Sequence, residues 1–179
     1  MSPKAKPRFA TVWLAGCSGC HMSFLDLDER LLDLAEKIDL VFSPLVDRKD
    51  FPDEVDVTLV EGAVSSTEDL EKIKKVRAHT KILVSLGDCA VTANVPSMRN
   101  PFPVESVLKK AYVENATINQ GTVFQIIPKL LAKSTPIHEI VTVDIFVPGC
   151  PPHRDIIHQL LCDLLEGRTP DLSHCRFGA

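Results

Sequence analysis

The stretch TVWLAGCSGCHMSF, residues 11–24, contains the features that decide the fold. It begins as an apolar run typical of a buried strand and passes through Gly16. Two cysteines then follow, Cys17 and Cys20, with two residues between them, and a helix-like pattern comes next. A strand, a tight turn and a helix in this order indicate the start of a βα unit. The cysteine pair suits a redox dithiol, half of a zinc site or half of an iron–sulfur site.

Apolar runs of the same kind recur along the chain. They are rich in Val, Ile and Leu, end near glycine or proline, and show little alternation with polar residues. That pattern is typical of parallel strands covered on both faces. The predicted strands are residues 9–14, 39–45, 55–62, 80–87 and 141–149.

Helical patterns lie between these runs. Residues 22–38 carry apolar side chains at spacings of three and four, with charges on the other face. Residues 65–79 open with serine and threonine cap candidates and acids in the first turn. Residues 153–167 begin after two prolines and end at a glycine, the usual asymmetry of helix ends.

Alternating strands and helices predict an α/β fold with right-handed crossovers. The size suits a flavodoxin-like doubly wound parallel sheet in one domain, residues 1–179. Residues 90–135 depart from the rhythm, with scattered prolines and few strand signals. We interpret them as an irregular insertion before the last strand, with one or two short helices. Because long insertions in compact domains are usually functional, we expect a role for it.

Composition argues against nucleic-acid binding and against a membrane-spanning protein. The formal charge of −4 and the pI of about 5.8 give no basic field for nucleic acid. No apolar run approaches the roughly 20 residues needed to cross a bilayer. Neither a signal-peptide pattern nor a twin arginine is found near the first residues. We therefore expect a cytoplasmic protein with no membrane and no nucleic-acid partner.

Four of the six cysteines follow predicted strands. Cys17 and Cys20 follow the first, Cys89 follows the fourth and Cys150 follows the last. The carboxyl ends of parallel strands share one edge, so these thiols are expected to converge. Both [4Fe–4S] and zinc sites take four cysteines. A dithiol enzyme needs no further cysteines, and structural zinc prefers two short pairs, so the spacing favours a cluster.

Glycines accompany these cysteines, at Gly16, Gly19, Gly87 and Gly149. A missing Cβ lets backbone approach an inorganic core, and free N–H groups can donate to its sulfurs. Cys162 and Cys175 are expected to be structural rather than ligating.

Two polar residues near the same edge keep two interpretations each. His21 abuts Cys20 and is either a neighbour of the site or a satisfied surface imidazole. Glu61 ends the third strand. One interpretation makes it a polar group beside the site, or at a partner surface that covers the site. The other makes it a helix-capping or solvated carboxylate.

Four motifs in this order resemble the small subunit of a [NiFe] hydrogenase: GCSGC (16–20), VEGAV (60–64), GDCA (87–90) and PGCPP (148–152). In that family four cysteines hold the proximal [4Fe–4S] cluster beside the nickel–iron centre of the large subunit. The resemblance implies that Cys17, Cys20, Cys89 and Cys150 are the ligands here. The related complex I subunit has adjacent cysteines at the first motif, so Ser18 and Gly19 favour the hydrogenase.

Two departures from respiratory members matter. We expect a single cluster, because the 179 residues leave no room for the C-terminal region that holds two more. The glutamate that usually precedes the first cysteine is replaced by Gly16, so its proposed proton-relay role does not transfer.

The stretch GDCAVTANVPSMRNP, residues 87–101, is similar to the small subunit of soluble bidirectional NAD-linked hydrogenases. There a diaphorase module carries further clusters, a flavin and NAD, and the resemblance implies H₂ + NAD⁺ ⇌ NADH + H⁺. The sequence contains no GxGxxG motif, so nothing in it indicates that this chain binds NAD itself. The alternatives are a short hydrogenase using a deazaflavin or heterodisulfide reductase, a complex-I-type quinone reductase subunit, and a stand-alone zinc or dithiol protein.

Overall fold

The structure is a computed structural model, and it describes residues 5–118 and 126–178. These residues contain seven strands and seven α-helices. The strands are β1 (Arg8–Trp13), β2 (Asp39–Phe42), β3 (Val55–Glu61), β4 (Val64–Ser66), β5 (Thr80–Leu86), β6 (Leu130–Thr135) and β7 (Ile145–Val147). The helices are α1 (Gly19–Leu25), α2 (Arg30–Lys37), α3 (Thr67–Ala78), α4 (Asp88–Thr92), α5 (Asn94–Ser97), α6 (Val104–Lys109) and α7 (Arg154–Leu165).

Five strands form one parallel sheet in the order β2-β1-β3-β5-β7. The strands β4 and β6 lie in a separate antiparallel pair. Counting only the parallel strands, the order is 2-1-3-4-5, which is that of flavodoxin-like folds. The predicted fold class is confirmed.

Apolar side chains cover the sheet on both faces. On one face Phe24, Leu34 and Ile157, from α1, α2 and α7, pack against strand residues such as Leu59 and Val84. On the other face the α3 residues Ile73 and Val76 join a cluster with strand residues such as Val12, Val60 and Leu83. Both α3 and α7 lie within their predicted ranges. Burial of both faces explains why the strand sequences show little alternation.

The predicted helix over 22–38 is wrong in one respect, because α1 and α2 are separate helices. Asp28, between them, has a φ of 50°, and a left-handed residue cannot continue a right-handed helix. The apolar stripe is nevertheless buried, with Phe24, Leu27 and Leu34 at 9% exposed or less. The 3.6-residue period therefore identified the buried face but not the break.

The last strand is shorter than predicted, since residues 141–144 precede β7 without joining the sheet. Asp144 provides the reason, because its carboxylate accepts the Leu83 N–H (2.7 Å) and a bond from Arg77 (2.6 Å). The Asp144 carboxylate thus accepts the Leu83 N–H in place of a backbone carbonyl of a longer β7. Val141 and Val143 still pack against the core, which explains their strand-like appearance.

The predicted insertion at 90–135 contains the short helices α5 and α6, followed by a π-helical turn at Lys110–Glu114. It also contains β6, which was not predicted and which pairs with the equally unpredicted β4. Part of the stretch, residues 119–125, lies outside the described residues. Among those described, no helix combines the length and apolar character needed to cross a membrane.

Candidate metal centre

The carboxyl ends of four strands are aligned in one row. Trp13 of β1 pairs with Glu61 of β3, Glu61 pairs with Leu86 of β5, and Leu86 pairs with Val147 of β7. The loops that carry the four motifs, three of which contain the cysteines, leave the sheet directly after this row. Because the four strands end in register, these loops all begin at the carboxyl edge of the sheet, as the sequence predicted.

Gly87 marks the point where three of the motifs touch. A Cβ built on it would lie 2.2 Å from Cys20 Sγ, 3.5 Å from the Gly149 carbonyl oxygen and 3.6 Å from Pro152 Cδ. A hydrogen bond of 2.6 Å from Ser23 Oγ to the Pro152 carbonyl also joins α1 to the last motif. The segments around Cys20, Cys89 and Cys150 are therefore packed against one another.

The four cysteines are free thiols of differing exposure, Cys17 and Cys150 being exposed and Cys20 and Cys89 partly buried. Burial raises the pKa of the Cys20 thiol, and the Glu61 carboxylate and the thiols of Cys89 and Cys17 raise it further. Burial also raises the pKa of Cys89, against a backbone hydrogen bond at Val95, and Cys150 and Cys17 raise it too. The four thiols are therefore neighbours, and a negative charge on one of them disfavours ionisation of the next.

This donor set fits an iron–sulfur cluster chemically. Four thiols come from three loops, Gly87 leaves the space that Cys20 Sγ occupies, and the mutual repulsion of thiolates calls for a cationic core. Each cysteine of a [4Fe–4S] cubane binds a different iron, so the thiolates need not meet around one ion. Within residues 5–118 and 126–178, no three His, Cys, Asp or Glu side chains are grouped to hold a single metal ion.

His21 and Glu61 form a buried pair beside Cys20, at 4% and 2% exposed. Glu61 Oε2 accepts the His21 backbone N–H at 3.0 Å and lies 3.2 Å from the ring Nδ1. The ring of Trp13 stands edge-on to the imidazole, with centroids 5.6 Å apart. His21 is therefore not a surface imidazole, and Glu61 is not a solvated carboxylate. Glu61 instead accepts an N–H in the first turn of α1, which agrees with the capping alternative.

The glycines near the cysteines differ in what a Cβ at each position would contact. Gly19 places its missing Cβ 3.2 Å from Cys17 Sγ, whereas Gly16 faces the backbone of Gly62 at 3.4 Å. Gly62, which sequence reasoning passed over, has a φ of 85°, and a Cβ there would come within 2.8 Å of the Ala15 carbonyl oxygen. The loops after β1 and β3 are thus fixed to each other by close backbone contact.

Sequence reasoning also missed Asp88, a buried carboxylate inside the GDCA motif that bonds to Gly149. The only signal was its position between Gly87 and Cys89. Cys162 lies on α7 with its Sγ 3.7 Å from Nε2 of His158. Burial raises the pKa of Cys175, and the nearby charge of Asp171 raises it further. Neither of these two thiols is among the groups that shift the pKa of Cys20 or Cys89.

Comparison with known proteins defines the class. The chain belongs to the family described as NADH ubiquinone oxidoreductase, 20 Kd subunit, whose model matches residues 17–164. Its relatives in this family include subunits of hydrogenases, so the resemblance to the small subunit of [NiFe] hydrogenases is confirmed.

Among these relatives, the NAD-reducing hydrogenase HoxS subunit delta of Cupriavidus necator is 45% identical over 94% of this chain and 83% of its own length. An F420-non-reducing hydrogenase of Methanothermobacter marburgensis has a subunit that is 37% identical over 93% of this chain, which spans 56% of that relative.

Solved structures agree with this assignment. A chain in the crystal structure of an NAD⁺-reducing [NiFe]-hydrogenase in the H₂-reduced state has a TM-score of 0.87 and 43% identity, with 93% of this chain and 94% of that chain covered. A [NiFeSe] hydrogenase from Desulfomicrobium baculatum has a TM-score of 0.59 and 18% identity, covering 97% of this chain and 66% of that chain, and it shows the fold alone.

Proposed function

We propose that this chain is the electron-transfer small subunit of a cytoplasmic NAD-reducing [NiFe] hydrogenase. Cys17, Cys20, Cys89 and Cys150 would hold one [4Fe–4S] cluster, which supplies one-electron transfer when bound. The observation that carries the proposal is the contact of Gly87 with Cys20, Gly149 and Pro152, because it brings three cysteine motifs to one place. The identity of 45% to an NAD-reducing hydrogenase subunit supports the choice of NAD.

The residues of this chain would position the cluster and shape its surroundings. Gly19 and Gly87 leave room for the thiols, and Ser23 fastens α1 to the last cysteine loop. Glu61 holds the backbone of His21 and so fixes the turn that presents Cys20. Fixed ligands and partial burial are how a protein sets the potential of a cluster, while the chemistry remains that of the cofactor.

An apolar surface beside the cysteines suits the hydrogenase large subunit as partner. We call it the edge patch: Trp13, Met22, Val95, Met98 and Phe102, which are 37–72% exposed. Arg99 and Asn100 bond to backbone groups of Ser65, Leu131 and Ser134, which fixes this part of the insertion. Exposed apolar side chains gathered next to a functional site are typical of an interaction surface.

The whole complex would carry out H₂ + NAD⁺ ⇌ NADH + H⁺, with the nickel–iron centre in the large subunit and flavin and NAD in the diaphorase. The test is purification through a tag on this chain, followed by assay of H₂-dependent NAD⁺ reduction. We expect nickel and iron in the complex, and loss of activity in Cys17→Ser, Cys20→Ser, Cys89→Ser and Cys150→Ser. Cys162→Ser and Cys175→Ser are the matched controls and should retain it; loss in either would contradict the ligand assignment.

A second candidate is a short hydrogenase with an acceptor other than NAD, and it is supported by the 37% identity to a subunit of an F420-non-reducing hydrogenase. The same purified complex separates the two. H₂-dependent reduction of a viologen dye without reduction of NAD⁺, and without co-purifying flavin, would favour this candidate.

A further inference from the structure

Asp88 joins three segments at the cysteine edge. It is 4% exposed and is the first residue of α4, between Gly87 and Cys89. Its Oδ1 accepts the Gly149 N–H at 2.7 Å, and its own N–H donates to the Gly149 carbonyl at 2.9 Å. Its Oδ2 accepts the N–H of Gly178, near the C-terminus, at 2.7 Å.

These bonds satisfy the carboxylate through backbone groups. Within the described part of the chain, no Lys, Arg or His nitrogen lies within ion-pair distance of Asp88. Bonds from N–H groups to a charged oxygen are short and strong, so a buried carboxylate of this kind holds its donors in fixed positions. Asp88 and Gly149 immediately precede Cys89 and Cys150, so the two-way bond between them ties the two cysteine loops together.

We propose that Asp88 is a positioning residue for Cys89 and Cys150, and that the same carboxylate holds the C-terminal segment 176–178 against these two loops. The role toward a cluster rests on the proposed function. The fastening of the loops and of the C-terminal segment does not, because it rests on hydrogen bonds of this chain alone.

The chemistry of a carboxylate distinguishes this role from simple space filling. Two backbone N–H groups face two oxygens, and each oxygen accepts one bond. In Asp88→Asn only one oxygen remains, and the amide NH₂ meets an N–H group instead of accepting from it. Because Gly149 is also held by the Asp88 N–H, we expect the oxygen to stay with Gly149 and the Gly178 bond to be lost.

The test combines hydrogen exchange, followed by mass spectrometry on peptides covering 145–152 and 172–179, with iron and acid-labile sulfide per chain. The protein is the complex purified through this chain, in the wild type and in Asp88→Asn, Asp88→Ala and Gly178→Pro. The matched control is Asp171→Asn, since Asp171 also accepts a backbone N–H, that of Ser173, at an exposed position.

In Asp88→Asn and Gly178→Pro we expect exchange of the C-terminal peptide to rise about tenfold or more, with iron retained. In Asp88→Ala both peptides should exchange faster, and the complex should lose at least about two of the four irons and four sulfides that one cubane contributes. Asp171→Asn should match the wild type in both measurements.

Wild-type exchange and iron in Asp88→Ala would overturn the proposal, as would an unchanged C-terminal peptide in Gly178→Pro, a variant that keeps Asp88. Wild-type protein without iron would instead contradict the proposed function, while the exchange data would still decide whether Asp88 fastens the loops.

Discussion

At the level of single residues, the cysteine edge depends on contacts between three loops that are far apart in the chain. The position of each cysteine after a strand predicts only a common edge, because the carboxyl ends of parallel strands share one. The contact of Gly87 with Cys20, the burial of His21 with Glu61 and the bonds of Asp88 depend on how three loops fold over one another. No spacing rule encodes such contacts between segments far apart in the chain.

Gly87 gives a sharp test of this close packing. Gly87→Ala introduces a left-handed alanine, at a φ of 83°, and a Cβ that overlaps Cys20 Sγ. We expect it to cost about 1–3 kcal/mol of stability beyond the strain itself, because the thiol must move. It should also lower bound iron by at least about two of the four irons of one cubane. Gly167→Ala is the matched control, since Gly167 has a φ of 71° and nothing near its Cβ. Equal thermal stability and equal iron in the two variants would contradict the packing argument.

The buried Glu61 predicts an effect on stability. Glu61→Ala leaves the His21 N–H without its charged acceptor, so we expect a loss of about 2 kcal/mol in the free energy of unfolding by urea. Glu61→Gln keeps an oxygen for that N–H and should lose less. Glu68→Ala, at an exposed position on α3, should change it by less than about 0.5 kcal/mol. A Glu61→Ala protein as stable as the wild type would show that this bond contributes nothing.

At the level of helices and strands, the hydrophobic periodicity predicted the elements of the core correctly. It missed features that depend on a single backbone conformation, on a side-chain hydrogen bond or on pairing with a distant strand. The apolar stripe of residues 22–38 was correct, but the left-handed Asp28 divides the helix. The strand β6 was missed because its partner β4 lies more than 60 residues earlier, and their pairing leaves no local pattern. Long-range pairing is the part of a fold that local sequence reasoning cannot supply.

Helix α3 was predicted correctly because its start has a strong chemical signal. Ser66 Oγ accepts the Asp69 N–H at 3.1 Å, and Asp69 Oδ2 accepts the Ser66 N–H at 2.9 Å, which completes a capping box. Ser66→Ala should lower the free energy of unfolding by about 1 kcal/mol in a urea titration. Ser106→Ala, an exposed change inside α6, is the control and should have a much smaller effect. A null result at Ser66 would mean that tertiary packing alone sets this helix start.

At the scale of the whole molecule, the sheet separates two tasks. Helices bury its two faces and supply stability, while the loops at its carboxyl edge carry the cysteines. The sequence predicted this division because strand ends and cysteines coincide. It did not predict which apolar residues stay exposed, because exposure depends on the path of the insertion through α5 and α6.

The edge patch predicts how the chain meets its partner. Met98→Asp places a charge at a side chain that is 72% exposed in the free chain, and a charge buried at an interface is costly. We expect at least a tenfold loss of large subunit recovered with the tagged chain, while the cluster iron of this chain, about four per chain, is retained. Leu32→Asp, at a residue 71% exposed on α2, is the matched control and should leave recovery unchanged. Equal loss in both variants would mean that the patch has no special role.

Whether the four cysteines hold one cluster is decided by EPR spectroscopy of the reduced complex purified through this chain, with iron, sulfide and zinc determined on the same sample. We expect the same reduced-cluster signal to be lost in each of four variants, Cys17→Ser, Cys20→Ser, Cys89→Ser and Cys150→Ser. About four irons and four sulfides per chain, the content of a cubane, should be lost with it. Cys162→Ser should keep both. Zinc in place of iron, or four variants that keep the full wild-type spectrum and iron content, would contradict the ligand assignment.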